Sequence, residues 1–163
     1  MIRYAITDGE STAAQLLEHA RRWTAEGVDY VQLREKHRPA GELVDLARAL
    51  MAIFAAHSSH TKLLVNGRAD IAIASGADGV HLTAHPDELT PDQVRRVFAP
   101  GRDKPLVSLS CHSATDAERA RDAGTDLILF GPVFEKRIAG QVVVAGLGLQ
   151  ALGQACVSAG NVP

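Results

Sequence analysis

Gln32, Arg34 and Lys36 alternate with Leu33 and Glu35 at the end of an apolar run. A strand through this stretch aims the three polar side chains at one face and the other two at the opposite face. Two cations two residues apart on one face make a site for phosphate, diphosphate or carboxylate. If the strand stops at Leu33, Arg34 and Lys36 become solvated loop charges instead. Asn66 closes Leu64-Val65-Asn66 and offers a neutral amide that can orient a polar substrate, or serve as a turn or helix-cap residue. Ser108, Ser110 and His112 alternate with Val107, Leu109 and Cys111, which puts His112 at a strand's upper rim. An imidazole there can take and give a proton near neutrality, and Cys111 points the other way, against a Cys–His nucleophilic dyad. His81, alone in a strand, reads equally well as a satisfied core group. His57, His60 and His85 lack the spacing of metal ligands.

Strand-like and helix-like runs alternate along the whole chain to hold these groups. Strands are expected at 2–7, 30–35, 63–66, 79–82, 106–110 and 127–131. Helices are expected at 10–26, from Pro39 to Phe54, and at 69–75, 91–98, 115–123 and 149–158, with Thr90 and Ser113 as N-caps. Asn161-Val162-Pro163 looks like the start of a seventh strand. One phrase repeats, opening at Gly27, Gly76 and Gly124: a glycine suited to a helix C-cap, an aspartate two residues on, then an apolar run. The period of roughly 48 residues fits two βα units, and its next copy falls beyond Pro163. Regular βα alternation implies a parallel sheet covered by helices. Equal double units favour an α/β (β/α)8 TIM barrel, of about 200 residues when complete, over an open doubly wound sheet. Thr7-Asp8-Gly9-Glu10 is no dinucleotide loop. The expectation is one barrel domain over residues 1–163 with about the last two βα units missing.

A hydrophobic share of 46% against 22% charged residues belongs to an ordinary globule. The net charge of −2 gives no general attraction to nucleic acid or to an anionic membrane, and neither is expected as a partner. Nothing resembles a signal peptide or a membrane span. Cys111 and Cys156 are too few for a disulfide scaffold and lack metal-type spacing, so a reduced cytoplasmic setting is expected.

Five stretches in order then resemble the thiamine-phosphate synthase superfamily. They are Tyr30-Val31-Gln32-Leu33-Arg34-Glu35-Lys36, Leu64-Val65-Asn66-Gly67-Arg68-Ala69-Asp70, Gly76–Leu82, Ser110-Cys111-His112-Ser113 and Phe130-Gly131-Pro132-Val133-Phe134. The resemblance covers about residues 2–135 and implies a (β/α)8 barrel acting on a small phosphorylated thiazole or pyrimidine. Two activities share that superfamily. The synthase joins a pyrimidine diphosphate to a thiazole phosphate and uses Mg²⁺ to neutralise the leaving diphosphate. Its metal takes an aspartate directly after the strand-three asparagine and another five residues after the strand-four histidine, where this chain has Gly67 and Pro86. The synthase also carries threonines and a lysine after its Gly-Pro-x-Phe segment. Here Glu135-Lys136-Arg137-Ile138-Ala139-Gly140 keeps Lys136 but neither threonine.

The second branch, a metal-free thiazole tautomerase, has asparagine-glycine-arginine at Asn66-Gly67-Arg68 and its catalytic histidine at His112. The tautomerase is therefore the preferred expectation. His112 is its acid–base catalyst, Gln32, Arg34, Lys36, Asn66 and Ser110 hold the substrate, and His81 and Lys136 are secondary candidates. No cofactor is expected, Mg²⁺ entering only with the synthase alternative. A non-enzymatic phosphate-ligand-binding or regulatory relative is the third reading. Unpaired sheet edges lead us to expect a homo-oligomer or completion by another chain.

Overall fold

The computed structural model describes residues 1–57, 59–85, 87–98, 104–138 and 141–163, with only the backbone at Ile138. The chain divides into two compact units. One holds Met1–His81 with Val97–Leu106, and the other Leu82–Arg96 with Val107–Pro163.

In the first unit β1 (Tyr4–Ile6), β2 (Tyr30–Leu33), β3 (Lys62–Asn66) and the start of β4 (Gly79–Leu82) are parallel neighbours in chain order. The connections are α1 (Ala13–Ala25), α2 (Ala40–Ala56) and α3 (Ala69–Ser75). Val31, Leu33, Leu63, Val65 and Val80 are buried. They alternate with the polar residues of the same strands, as a helix-covered parallel sheet requires. Leu43, Leu46, Ala47, Leu50 and Phe54 of α2 and Leu16 and Ala20 of α1 bury the matching helix stripes. Each fully buried leucine contributes about 1.5–3 kcal/mol. At Gly79 a Cβ would lie 1.9 Å from the Leu106 carbonyl oxygen, so only glycine lets the chain pass there.

The second unit contains α4 (Pro91–Val97, but for its last residue), most of β5 (Leu106–Cys111), α5 (Ala114–Asp122), β6 (Leu127–Phe130) and α6 (Gly148–Ala159). β5 and β6 pair in parallel, with Ser108 opposite Leu127 and Ser110 opposite Leu129. Ala117 of α5 and Ala155 and Ala159 of α6 form a small-residue core on which Ile128 and Phe130 pack. Ser113 caps α5, accepting from the Asp116 N–H at 3.0 Å, and Thr90 and Gln93 cap each other at the start of α4. Both caps were singled out from the sequence; the Thr12–Gln15 capping box that starts α1 was not, although Thr-x-x-Gln is its sequence signature.

The recurring glycine and aspartate have distinct tasks. Gly27, Gly76 and Gly124 all adopt positive φ, 68°, 83° and 72°, at the helix ends. Each aspartate then clamps the first residues of the preceding strand. Asp29 accepts from the Arg3 N–H at 2.7 Å, Asp78 from Leu63 at 2.8 Å and Asp126 from Val107 at 2.9 Å. In return the N–H groups of Asp29, Asp78 and Asp126 donate to the carbonyls of Arg3, Leu63 and Val107. The period near 48 residues is thus a pair of strands closed at its lower end by one carboxylate.

Two expectations are corrected. β2 ends at Leu33 rather than Glu35, so Arg34 and Lys36 lie in the turn that follows it. The glycine-rich stretch before α6 also holds a hairpin, β7 (Lys136–Ile138) and β8 (Gln141–Val144), antiparallel, with an irregularity between Lys136 and Arg137. Val142, Val143 and Val144 are all exposed, so the hairpin has no buried face to announce it by alternation. The expected seventh strand corresponds to a single bond, the Ile128 N–H donating to the Pro163 carbonyl at 2.8 Å. Among the described residues no helix is long and apolar enough to cross a membrane.

Candidate functional site

In the first unit the polar side chains of β1 to β4 gather on one face. Tyr4 stacks on Tyr30 with ring centroids 6.0 Å apart and donates to Gln32 Oε1 at 3.4 Å. The buried Gln32 amide in turn donates through Nε2 to Asn66 Oδ1 at 2.8 Å. The two amides fix each other's orientation, because an amide oxygen can only accept. His81 stands in register with Asn66 and is 3% exposed. Burial, assisted by the Arg34 charge, pushes its pKa down to about 4, so the imidazole is neutral at physiological pH. The structure thus brings Gln32, Asn66, Arg34 and His81 together.

Arg34 is placed by backbone rather than by strand alternation. Its N–H donates to Thr7 Oγ1 at 2.8 Å, while the Thr7 N–H donates to the Gln32 carbonyl at 3.0 Å. Glu35 faces the helix side, as its alternation with Arg34 implied. It is buried, and its Oε2 accepts from Arg38 Nε at 3.0 Å. Arg38 also donates to the Ser11 carbonyl at 2.7 Å. The turn carrying Arg34 and Lys36 is therefore pinned from both sides. Lys36 is exposed and lines, with Asn66, a cavity of about 250 Å³. Thr7, Arg38 and Tyr4 were not singled out from sequence. Tyr4 carried a signal in sharing an aromatic type with Tyr30 at a parallel strand position.

In the second unit Ser108 is buried, Ser110 half-buried and His112 exposed, rising along β5 in that order. The His112 N–H donates to Asp116 Oδ2 at 3.2 Å, and Nδ1 contacts the Gly131 carbonyl oxygen. A carbonyl oxygen only accepts, so Nδ1 is the donor in this contact. The Ser113 hydroxyl, with the His112 N–H, holds the Asp116 carboxyl below the usual carboxylate range. Burial and the Asp116 charge push the Cys111 thiol up to about 11, which removes it as a nucleophile. Ser110 lines a separate cavity of about 290 Å³ with His85, Glu88, Asp116 and Arg119. Lys136 is exposed on β7. Pro86, Ala139 and Gly140 lie outside the described residues.

Residues 3–163 match the family model described as thiamine monophosphate synthase. The chain is 38% identical over 132 residues to the thiamine-phosphate synthase of Solidesulfovibrio magneticus, covering 80% of this chain and 59% of that protein. It is 37% identical over 117 residues to the thiamine-phosphate synthase of Halalkalibacterium halodurans, covering 72% of this chain and 52% of that protein. Among solved structures, thiamine phosphate pyrophosphorylase from Pyrococcus furiosus superposes with a TM-score of 0.76 at 25% identity, over 99% of this chain and 72% of that one. The chain thus spans between half and three fifths of the length of these two curated relatives.

These relationships overturn the tautomerase expectation and the isomerase class that came with it. That choice rested on a few positions, Gly67 and Pro86 in place of carboxylates, the absent threonines near Lys136 and the matches at Asn66-Gly67-Arg68 and His112, whereas the likeness to the synthases is spread over more than a hundred residues. The α/β architecture of parallel strands and covering helices agrees with the barrel resemblance. The chain belongs to the thiamine monophosphate synthase family.

Proposed function

We propose that this chain serves a thiamine-phosphate synthase, a transferase joining a pyrimidine carried as its diphosphate to a thiazole phosphate. The observation that carries the reading is the locked Gln32–Asn66 amide pair beside Arg34 at the C-terminal ends of β2 and β3, where parallel-sheet enzymes bind their ligands. In this reaction the bond from the pyrimidine methylene carbon to the diphosphate oxygen breaks, and its electron pair leaves on the diphosphate. A new bond then joins that carbon to the thiazole nitrogen. Charge develops on the leaving group, so fixed cations and amide donors aimed at it favour the transition state over the ground state. Arg34 and Lys36 supply the positive charge, and Gln32 and Asn66 supply oriented amides. His81, neutral beside them, adds no cation of its own. In the second unit Ser110 and the free His112 Nε2 are the polar groups offered to a substrate, and Lys136 is a further exposed cation. The accompanying fold reading is one (β/α)8 barrel domain, supported by the greater length of the relatives. Homo-oligomerisation or completion by another chain goes with it.

Mg²⁺ is the cofactor this family reading carries. The donors around Asn66 do not form a site for it. Gly67 has no side chain, and both carboxylate oxygens of the nearby Asp70 are engaged by Arg68 at 2.8 and 2.6 Å. Among the described residues no group of three or more His, Cys, Asp or Glu side chains could hold a metal. Mg²⁺ sites on phosphate enzymes use one or two carboxylates plus substrate oxygens, and the described carboxylates nearest Asn66 are already engaged by arginines, Asp70 by Arg68 and Glu35, through Oε2, by Arg38. No step is therefore derived through the metal.

The test is to supply the purified chain with both substrates and follow the joined product by chromatography and mass detection. Product should form, and Arg34→Gln should lower kcat/KM by about 100-fold. A chain that melts cooperatively yet makes no product would overturn the reading.

A further inference from the structure

α6 is apolar on both sides, and the fold covers only one of them. Ala155 and Ala159 are buried against Ala117 of α5, and the Ser158 carbonyl accepts from Arg121 Nη1 at 2.7 Å. By helical spacing Leu149, Gly153, Cys156 and Val157 share the opposite face. All four are exposed, Leu149 at 66% and Val157 at 82%. A surface helix turns charged side chains to water on that side, and a helix apolar all round belongs in an interior. From Gln141 to Pro163 the sequence has no Asp, Glu, Lys, Arg or His, in a chain that is 22% charged. A groove of about 290 Å³ adjoins the helix, lined by Ile128, Phe130, Leu152, Cys156 and Val162, and no charged side chain enters its described lining. Gly153 lies inside α6, where glycine is a poor helix former, yet a Cβ there would meet nothing within 4 Å. The chain's own packing gives no reason for that glycine; close approach of a second backbone does.

We propose that this face of α6 docks on the same face of a second copy of the chain, in a two-fold contact centred on Gly153, Cys156 and Val157. A two-fold contact sets a surface against itself, so any charge on it meets its own like. A face without charge meets no such repulsion. An acidic or basic partner finds nothing here to pair with, whereas the identical apolar face matches it. The absent side chain at Gly153 lets the two helices come close, and the groove beside them accepts an aliphatic side chain projecting from the other copy. This ties the oligomer that accompanies the barrel reading to one surface and one partner, and it stands independently of the synthase chemistry.

The test is sedimentation equilibrium of the full chain from about 1 to 100 µM, which should report two chains per particle. Val157→Glu puts a carboxylate on each side of the axis and should weaken pairing by about 100-fold or more. Its side chain is exposed, so melting followed by circular dichroism should show the fold intact. Gly153→Ala should raise the melting temperature of the dilute, monomeric chain through helix propensity, yet weaken pairing by about tenfold. A position that faced only water would show the first effect without the second. Val97→Glu, at an exposed valine ending α4, should leave pairing unchanged. A short bismaleimide should join two copies through Cys156, since Cys111 is buried, and should fail in Cys156→Ser. A monomer at every concentration would leave the face to a different chain and overturn the inference. So would a dimer that survives Val157→Glu or gives no link through Cys156. A dimer that makes no product would leave this contact standing and refute the synthase reading, and a monomer that makes product would do the reverse.

Discussion

His81 should make the stability of this chain fall in mild acid, and the size of the effect follows from its burial. The folded imidazole has a pKa near 4, because desolvation and the Arg34 charge both oppose its protonation. In the unfolded chain it returns to about 6.5. Above pH 6.5 both states hold it neutral and it contributes nothing to pH dependence. As pH falls below 6.5 the unfolded state takes up a proton that the folded state refuses, so stability declines until about pH 4. The full loss is about 3 kcal/mol, of which about 2 kcal/mol is reached at pH 5. Against a typical 5–15 kcal/mol for a domain, that is a large share. Urea unfolding at pH 7.5 and pH 5.0 measures it, with His81→Gln as the comparison. Wild type should lose about 2 kcal/mol more than the variant between the two pH values. Asp8, Asp29, Asp70 and Asp116, all held below their ordinary values, lose their contributions at lower pH and cancel in the difference. If His81→Gln does not fold, His81→Asn or direct titration of the His81 resonance replaces it. Equal losses in wild type and variant, or a resonance titrating near 6.5, would refute the reasoning.

Two further outcomes follow from the same contacts. In Arg34→Gln the His81 pKa should rise above about 4, since a cation that disfavours the imidazolium is gone; nuclear magnetic resonance titration reads it, and no change would separate the two residues. Asp78→Ala removes the acceptor of the Leu63 N–H and the partner of Lys62 Nζ at 2.9 Å. It should cost about 1–3 kcal/mol in urea unfolding, and a loss under about 0.5 kcal/mol would mean that water replaces the carboxylate.

The strands and helices were readable because their burial is one-sided. Val31 and Leu33 against Gln32, or Leu63 and Val65 against Asn66, write the sheet's two faces directly into the sequence. Ends were less readable. β2 stops at Leu33 because the Arg34 N–H leaves the ladder for Thr7 Oγ1, a contact 27 residues away in the chain that no local pattern records. The β7–β8 hairpin left no trace because its valines are exposed on both faces. Of the candidate site, Gln32, Asn66 and His81 lie together as alternation implied, whereas Arg34 is set beside them by its backbone bond to Thr7. Arg38 escaped notice because its bonds to Glu35 and to the Ser11 carbonyl pin a turn, which no strand period records. The branch of the family was misjudged because a handful of positions, among them Gly67, Pro86 and His112, were set against a likeness spread over the rest of the sequence.

The aspartate clamps all sit at the N-terminal ends of their strands, whereas Arg34, Lys36 and Asn66 sit at or just past the C-terminal ends. Each clamp also looks both ways. Asp29 and Asp78 grip the strand before them through their carboxylates, and their carbonyls accept from Lys62 and Leu106, the first residues of the strands that come next. Strand register is thereby stitched along one rim, leaving the opposite rim free to vary. Mutational tolerance should divide along the same line. Exposed positions of the loop after β2, such as Lys36 and His37, can be rewritten for a new substrate at little cost to folding, while a change in the Gly-x-Asp rim would be felt by every reaction the scaffold could host.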